Sequence, residues 1–141
     1  MAIYDASKTN KSKRSSRLYK DLDMDFAKNP ITRDVTTVED IVAVKRAVKN
    51  LVQTNYYERP FHPELGCGIR ELLFENYDPV NGILLKRKLS EVLTNYEPRI
   101  NLSGIDLDDD PDNNRLICAI HFYVIGVQEP QTVTTYLQRL R

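Results

Sequence analysis

Four glutamates fall in predicted loops or near helix ends, where a carboxylate could act in catalysis: Glu58, Glu64, Glu75 and Glu97. Two carboxylates about 5–9 Å apart are what glycoside hydrolysis requires, so a muramidase that cleaves peptidoglycan is one hypothesis. However, an arginine directly follows Glu58, and another lies two residues after Glu97. A neighbouring guanidinium keeps a carboxylate ionised, whereas a general acid needs a raised pKa. The residues therefore favour structural ion pairs, and we assign no catalytic residue.

The histidines and cysteines suggest a zinc site at first sight. His62 precedes Cys67 by five positions, and Cys118 precedes His121 by three. The second pair fails as a ligand pair on a strand, because positions of opposite parity point to opposite faces of a sheet. We therefore expect no metal site.

An acidic run, Asp106 to Asp112, resembles part of a calcium-binding loop. An EF-hand loop beginning at Asp108 would need a glycine at its sixth position and a glutamate at its twelfth. This chain has Asn113 and Ala119 at those two positions. The sequence Asp-Pro-Asp-Asn-Asn at 110–114 predicts a solvated hairpin turn instead.

The charges are unevenly distributed, although they sum to zero over the 141 residues. Residues 1–20 contain one acid and these basic residues: Lys8, Lys11, Lys13, Arg14, Arg17 and Lys20. Residues 1–17 lack periodicity and predict a flexible basic arm ahead of a single domain, 18–141. The arm could bind phosphates or an acidic protein surface. Zero net charge and the lack of interleaved aromatic residues argue against a nucleic-acid partner.

Targeting signals are not apparent in the sequence. Nothing resembles a signal peptide, and no apolar run approaches the roughly 18–20 residues that span a membrane. The two cysteines suggest free thiols in a reducing cytoplasm. We therefore expect a protein that is assembled in the cytoplasm of a cell and has no membrane partner.

Helices are predicted from apolar residues spaced three and four apart. The predicted helices cover residues 38–53, Ile69 to Glu75, and 79–95. Thr37 is a plausible N-cap of the first helix. Asp78 and Pro79 are typical of a helix start, and Pro98 ends the third helix because it cannot donate a backbone hydrogen bond.

The apolar period changes to two after the third helix, which predicts strands. A bulge near Ser103-Gly104 would keep the apolar residues of the first strand on one face. Residues 116–125 alternate throughout and are expected to form the central strand of an antiparallel sheet. The predicted fold class is α+β: two main helices and a short one packed on a small antiparallel sheet with a C-terminal edge strand. The helical part covers about 37–96 and the β part about 99–141.

The C-terminal segment 132–141 is strand-prone and leaves little chain that could cover its outer edge. One interpretation is an ordinary edge strand, protected by the polar residues Gln138, Arg139 and Arg141. The other is an edge to which a second protein adds a strand. Composition alone favours the first interpretation.

The segment between the first two helices is rich in proline, glycine and aromatic residues. We expect it to form a shaped loop packed on the core, with these residues: Glu58, Arg59, Pro60, Phe61, Pro63 and Gly66. The order of segments resembles the baseplate wedge family of contractile-tailed bacteriophages, often labelled lysozyme-like, and related sheath-initiator proteins. The resemblance covers residues 19–141. Its most specific elements are the Glu-Arg-Pro loop and the triplet Glu97-Pro98-Arg99 before the first sheet strand.

The resemblance implies a structural protein of the virion tail baseplate, without cofactors and without catalysis. Glu97, Pro98 and Arg99 would dock on the helical core bundle of two larger baseplate wedge proteins. The C-terminal edge would start the first ring of tail sheath subunits by strand addition, through these residues: Val133, Thr134, Thr135, Tyr136, Leu137, Gln138 and Arg139. The resemblance thus favours the second interpretation of the C-terminal edge.

One position departs from the family pattern. Many members have a glycine before the Glu-Arg-Pro motif, where this chain has Tyr57. Because tyrosine tolerates a positive φ poorly, the substitution argues against a turn that requires one at this position.

Overall fold

The computed structural model of the protein describes residues 19–73 and 78–138. Its elements, in chain order, are β1 (Lys20–Leu22), β2 (Thr37–Glu39), α1 (Asp40–Gln53), α2 (Ile69–Leu73), α3 (Pro79–Tyr96), β3 (Ile100–Asp110), β4 (Arg115–Val124) and β5 (Pro130–Gln138). The predicted α+β class is confirmed. The predicted basic arm, residues 1–17, lies outside the described residues, as does the predicted end of the short helix at Glu75.

The start of α1 differs from the prediction. Thr37 lies in β2 and is not the N-cap; Glu39 takes that position, and its side chain makes no capping hydrogen bond. Asp40 N donates instead to Tyr19 O at 2.8 Å, while Tyr19 N donates to Asp40 Oδ1 at 3.3 Å. A free N–H at the helix start is therefore satisfied by the N-terminal segment, which the sequence pattern did not reveal.

Helix α3 follows the prediction closely. Asp78 is its N-cap with Pro79 in the first turn, and the helix ends at Tyr96, one residue beyond the predicted end. Glu97 forms the C-cap, so Pro98 stops the helix as expected. The buried face of α3 consists of Gly82, Leu85, Leu89, Val92 and Leu93.

Strands β3, β4 and β5 form an antiparallel sheet in that order, with β4 in the centre as predicted. The register shifts between Leu102 and Gly104, which confirms the predicted bulge. Strand β4 alternates, and its buried side chains are Leu116, Cys118, Ile120, Phe122 and Val124. The core combines this inner face of the sheet with the apolar faces of the helices. Full burial of each large side chain contributes about 1.5–3 kcal/mol.

An additional two-stranded ribbon joins β1 and β2, where the sequence indicated only an extended segment. The strands are antiparallel, with Lys20 opposite Glu39 and Leu22 opposite Thr37. Arg46 of α1 forms an ion pair with Asp23, which anchors the ribbon on that helix. Because each strand has only three residues, no alternation could indicate it in advance.

Strand β5 forms one edge of the three-stranded sheet. It begins at Pro130, two residues before the predicted start, and Arg139 lies outside the described residues. Val133, Thr135 and Leu137 point into the core, while the alternate residues from Thr132 to Gln138 are exposed. The buried Thr135 hydroxyl has no hydrogen-bond partner among residues 19–73 and 78–138, which costs the fold about 1–3 kcal/mol. β5 is therefore integral to the core, yet it contains one unsatisfied polar atom.

Candidate docking site

Glu97 and Arg99 form a bidentate ion pair across the proline that separates them. Arg99 Nε lies 2.7 Å from Glu97 Oε1, and Arg99 Nη2 lies 2.9 Å from Glu97 Oε2. The Glu97 side chain is only 7% exposed and that of Arg99 is 24% exposed. Two parallel charge-assisted hydrogen bonds in a partly buried place hold both side chains in fixed orientations.

The N-terminal ribbon adds two further contacts to Arg99. Arg99 Nη1 donates to both carboxylate oxygens of Asp21, at 3.1 and 2.9 Å. The Arg99 guanidinium also lies 5.6 Å from the ring centroid of Tyr19. Hydrogen bonds that Arg99 donates to Glu97, and next to Asp21, raise the pKa of Arg99 above its usual value. Glu97, Arg99 and Asp21, called the ion triad below, thus join the end of α3 to β1.

The Glu97–Arg99 ion pair is the one that the sequence suggested. The second acid on the Arg99 fork, Asp21, was not expected. The sequence could not show this, because Asp21 lies 78 positions before Arg99. The role of the triplet in docking stays a prediction.

The Glu-Arg-Pro loop is closed by hydrogen bonds at its base. Glu58 accepts hydrogen bonds from the backbone and side-chain nitrogens of Asn55, at 2.9 and 2.7 Å. Its nearest cation is Arg70, at 3.9 Å, and not the adjacent Arg59 that the sequence suggested. Gly66 has φ 149°, and a Cβ there would lie 2.6 Å from the backbone of Asn55. Only glycine therefore lets the two ends of the loop approach.

The prediction that this loop packs on the core is wrong for its outer part. Phe61 is 96% exposed and Tyr57 is 85% exposed, and Pro60 and Pro63 are also exposed. Only the base packs inward, with residues 66–69 buried. The aromatic composition suggested burial, but backbone hydrogen bonds such as Tyr57 N to Pro63 O, at 3.0 Å, hold the loop instead.

The backbone of Tyr57 has φ 65°, which is the turn conformation that a tyrosine at this position was not expected to adopt. A left-handed backbone costs a non-glycine residue about 1–2 kcal/mol. We therefore expect Tyr57→Gly to be more stable than Tyr57→Ala by about 1 kcal/mol, because both remove the ring and only glycine removes the strain. Urea denaturation of the two variants measures this difference. Equal midpoints would contradict a strained turn.

An open groove of about 640 Å³ lies between this loop and the end of α3. The loop lines it with Glu58, Arg59 and Pro60, and α3 lines it with Tyr96 together with the following Glu97. The other lining residues are Met24, Ala47, Asn50, Leu51, Gln53, Thr54 and Leu65. Tyr96 Oη donates to Glu64 O at 3.4 Å, which ties the helix end to the loop. The groove therefore unites the two motifs that the sequence singled out.

Glu58 and Glu64, two of the glutamates considered for catalysis, do not have the raised pKa of a general acid. Backbone and side-chain hydrogen bonds from Asn55 lower the pKa of Glu58. The pKa of Glu64 is lowered by its own backbone N–H and by His62. Glu97 is held by Arg99, and Glu75 lies outside the described residues. Glycoside hydrolysis needs a carboxyl group with a raised pKa, the opposite of what Glu58 and Glu64 show.

The potential metal ligands are also separated. Cys118 is buried on the inner face of the sheet, whereas His121 lies on the outer face beside Thr132 and Asp106, at 2.9 and 3.1 Å. Burial raises the pKa of the Cys118 thiol to about 11. In the acidic turn, Asp110 accepts hydrogen bonds from Asn113 and Arg115. Across residues 19–73 and 78–138, no three His, Cys, Asp or Glu residues cluster as a metal site.

Solved structures share this fold. A putative tail lysozyme from Geobacter sulfurreducens matches with a TM-score of 0.65 and 21% identity, covering 70% of this chain and 89% of its own. A chain of the anti-feeding prophage baseplate matches with a TM-score of 0.61 and 17% identity over 87% of both chains. A chain of the post-contraction pyocin R2 baseplate matches with a TM-score of 0.54 and 16% identity, and the match covers 85% of this chain and 98% of that chain. These likenesses show a shared fold.

Comparisons of the sequence identify the family to which this chain belongs. The family model for baseplate wedge protein gp25 matches residues 38–129. The baseplate wedge protein gp25 of Enterobacteria phage T4 is 32% identical over 110 residues, which cover 78% of this chain and 83% of the relative. The chain belongs to the gp25 family of baseplate wedge proteins, and it is a component of the baseplate of a contractile phage tail.

Proposed function

We propose that this chain is a structural adaptor that docks on the helical core bundle of two larger wedge proteins and starts tail sheath polymerisation by strand addition. The groove between the Glu-Arg-Pro loop and the end of α3 is the observation that carries the docking role. Apolar residues such as Leu51 and Leu65 line it together with charged residues such as Arg59, and a groove of mixed lining can receive an amphipathic helix. The partner is therefore expected to insert apolar side chains of one helix.

The properties of the two sheet edges support the sheath role. β3 has a bulge at Gly104 and outward charges such as Asp106 and Asp108, which discourage strand addition. β5 contains no charged residue between Pro130 and Gln138 and pairs with β4 in continuous register. Within the described residues, no strand pairs with its other edge. An uncharged edge in continuous register suits backbone pairing with a sheath subunit.

A structural role is also favoured over hydrolysis and agrees with assembly in the host cytoplasm. The pKa values of Glu58 and Glu64 are lowered, which disfavours either as the acid of a muramidase. Cys67 and Cys118 are buried free thiols, as expected of a protein made in a reducing compartment. No helix among residues 19–73 and 78–138 is long and apolar enough to cross a bilayer.

Filling the groove tests the docking role. Ala47 of α1 lines the groove, so Ala47→Phe is expected to weaken binding to the two larger wedge proteins at least tenfold, about 1.4 kcal/mol. Val42→Phe is the matched control, because Val42 is 54% exposed on the same helix but outside the groove. Calorimetry with the co-expressed wedge proteins measures both. Wild-type affinity for folded Ala47→Phe would overturn docking through the groove.

A further inference from the structure

We propose that Asp21 belongs to the docking site and that the ion triad binds a cationic side chain, lysine or arginine, of the wedge partner. This inference rests on the proposed function and specifies the chemistry of its partner. Asp21 belongs to β1, whereas the family model begins at residue 38. The residue is thus supplied by a segment outside the matched family region.

The charge of the triad determines which partner fits. Two carboxylates surround one guanidinium, so the triad has a formal net charge of −1. An additional carboxylate from a partner would be repelled, because the Arg99 fork is already occupied by Glu97 through Nε and Nη2 and by Asp21 through Nη1. A cation would instead be attracted to the carboxylate oxygens that remain accessible.

The exposure of the three side chains identifies the atoms that a partner would reach. Glu97 is 7% exposed and Arg99 24%, whereas the side chain of Asp21 is 37% exposed. Asp21 is therefore the most accessible acid of the triad. Each of its oxygens accepts a hydrogen bond from Arg99 Nη1 and retains further accepting capacity on its outer side.

The ribbon holds Asp21 in place before any partner arrives. Asp21 pairs with Val38 in the β1–β2 ladder, and the neighbouring Tyr19 is fixed by a hydrogen bond from its hydroxyl to Ile125 O, at 3.1 Å. Asp21, through Arg99, is thus linked to Glu97, which also lines the groove. Glu97 thus places the triad beside the groove where α3 ends, and the bound helix would direct its cation to the neighbouring Asp21 carboxylate.

Three variants test this inference through binding to the co-expressed wedge proteins at several salt concentrations. Asp21→Asn still accepts a hydrogen bond from Arg99 but lacks the charge, and we expect about tenfold weaker binding. Its affinity should also depend less on salt, because one ion pair is absent. Asp21→Glu should restore most of the affinity. Asp25→Asn is the control, since the Asp25 side chain is 79% exposed and lies outside the triad.

The outcomes separate this inference from the proposed function. Wild-type protein that does not bind the wedge proteins would overturn docking itself. If the wild-type protein binds and Asp21→Asn binds with the same affinity, docking would stand and the role of Asp21 would be overturned. Weaker binding of Asp21→Asn with an unchanged salt dependence would show that Asp21 only supports the ribbon, and it would overturn the cationic partner. Hydrogen exchange of the Val38 amide reports whether the ribbon stays formed.

Discussion

Arg99→Ala is expected to lower the free energy of unfolding by about 3 kcal/mol, because it leaves an uncompensated carboxylate in a largely buried place. Glu97, which is 7% exposed beside Arg99, would lose both hydrogen bonds of its bidentate pair. Asp21 would lose its partner at the same time, so one contact between the ribbon and the start of β3 would be lost. Urea denaturation followed by circular dichroism measures the change.

Two control variants show whether the loss of stability comes from the ion triad. Arg59→Ala removes an exposed arginine of the loop and should change stability by no more than about 0.5 kcal/mol. Arg99→Lys keeps the charge without the planar fork, and we expect an intermediate loss. A loss below about 1 kcal/mol for Arg99→Ala would show that the triad contributes little to the fold.

A proline on β5 is expected to abolish sheath growth on an assembled baseplate. Deleting 132–141 is unsuitable for this test, because Val133 and Leu137 belong to the core and their loss would unfold the sheet. Successive backbone N–H groups of a strand point to opposite sides, so one of Thr134→Pro and Thr135→Pro removes an outward donor and the other an N–H bonded to β4. The variant that keeps the wild-type melting temperature is the edge variant. Electron microscopy of tails assembled with it should show baseplates without sheath.

Valine substitutions at the same two positions are the matched controls. Thr134→Val and Thr135→Val retain the N–H groups and should support sheaths of normal length. Thr135→Val should also have a higher free energy of unfolding than the wild type, because it removes a buried hydroxyl that has no hydrogen-bond partner among the described residues. Normal sheaths on the edge variant would rule out strand addition at β5.

The features that could be predicted from the sequence are those determined by nearby residues. Apolar spacing predicted α1, α3 and the central strand, and Pro98 predicted the end of α3. The bulge followed from the change of parity between Leu102 and Ile105, since one inserted residue restores a common face. Each of these signals lies within a few positions of the structure that it predicts.

The features that could not be predicted depend on residues far apart in the chain. Asp21 meets Arg99 across 78 positions, and no local pattern marks it as a partner. The exposure of Phe61 and Tyr57 could not be predicted either, because aromatic side chains usually indicate burial. Both motifs of the candidate site could be identified from the sequence. The groove between them could not, because it forms only when the fold brings the loop next to the end of α3.

The acidic residues of β3 make the charge distribution of the described chain asymmetric. Tyr19 contacts Arg99 and Ile125 at one end of the sheet. Asp106, Asp108, Asp109 and Asp110 lie toward the other end of β3, whose 11 residues span about 35 Å. Negative charge concentrated at one end of the sheet contributes an electric dipole moment. The field of a charged assembly would therefore rotate an incoming subunit into alignment before any contact forms, which speeds productive encounters at low salt.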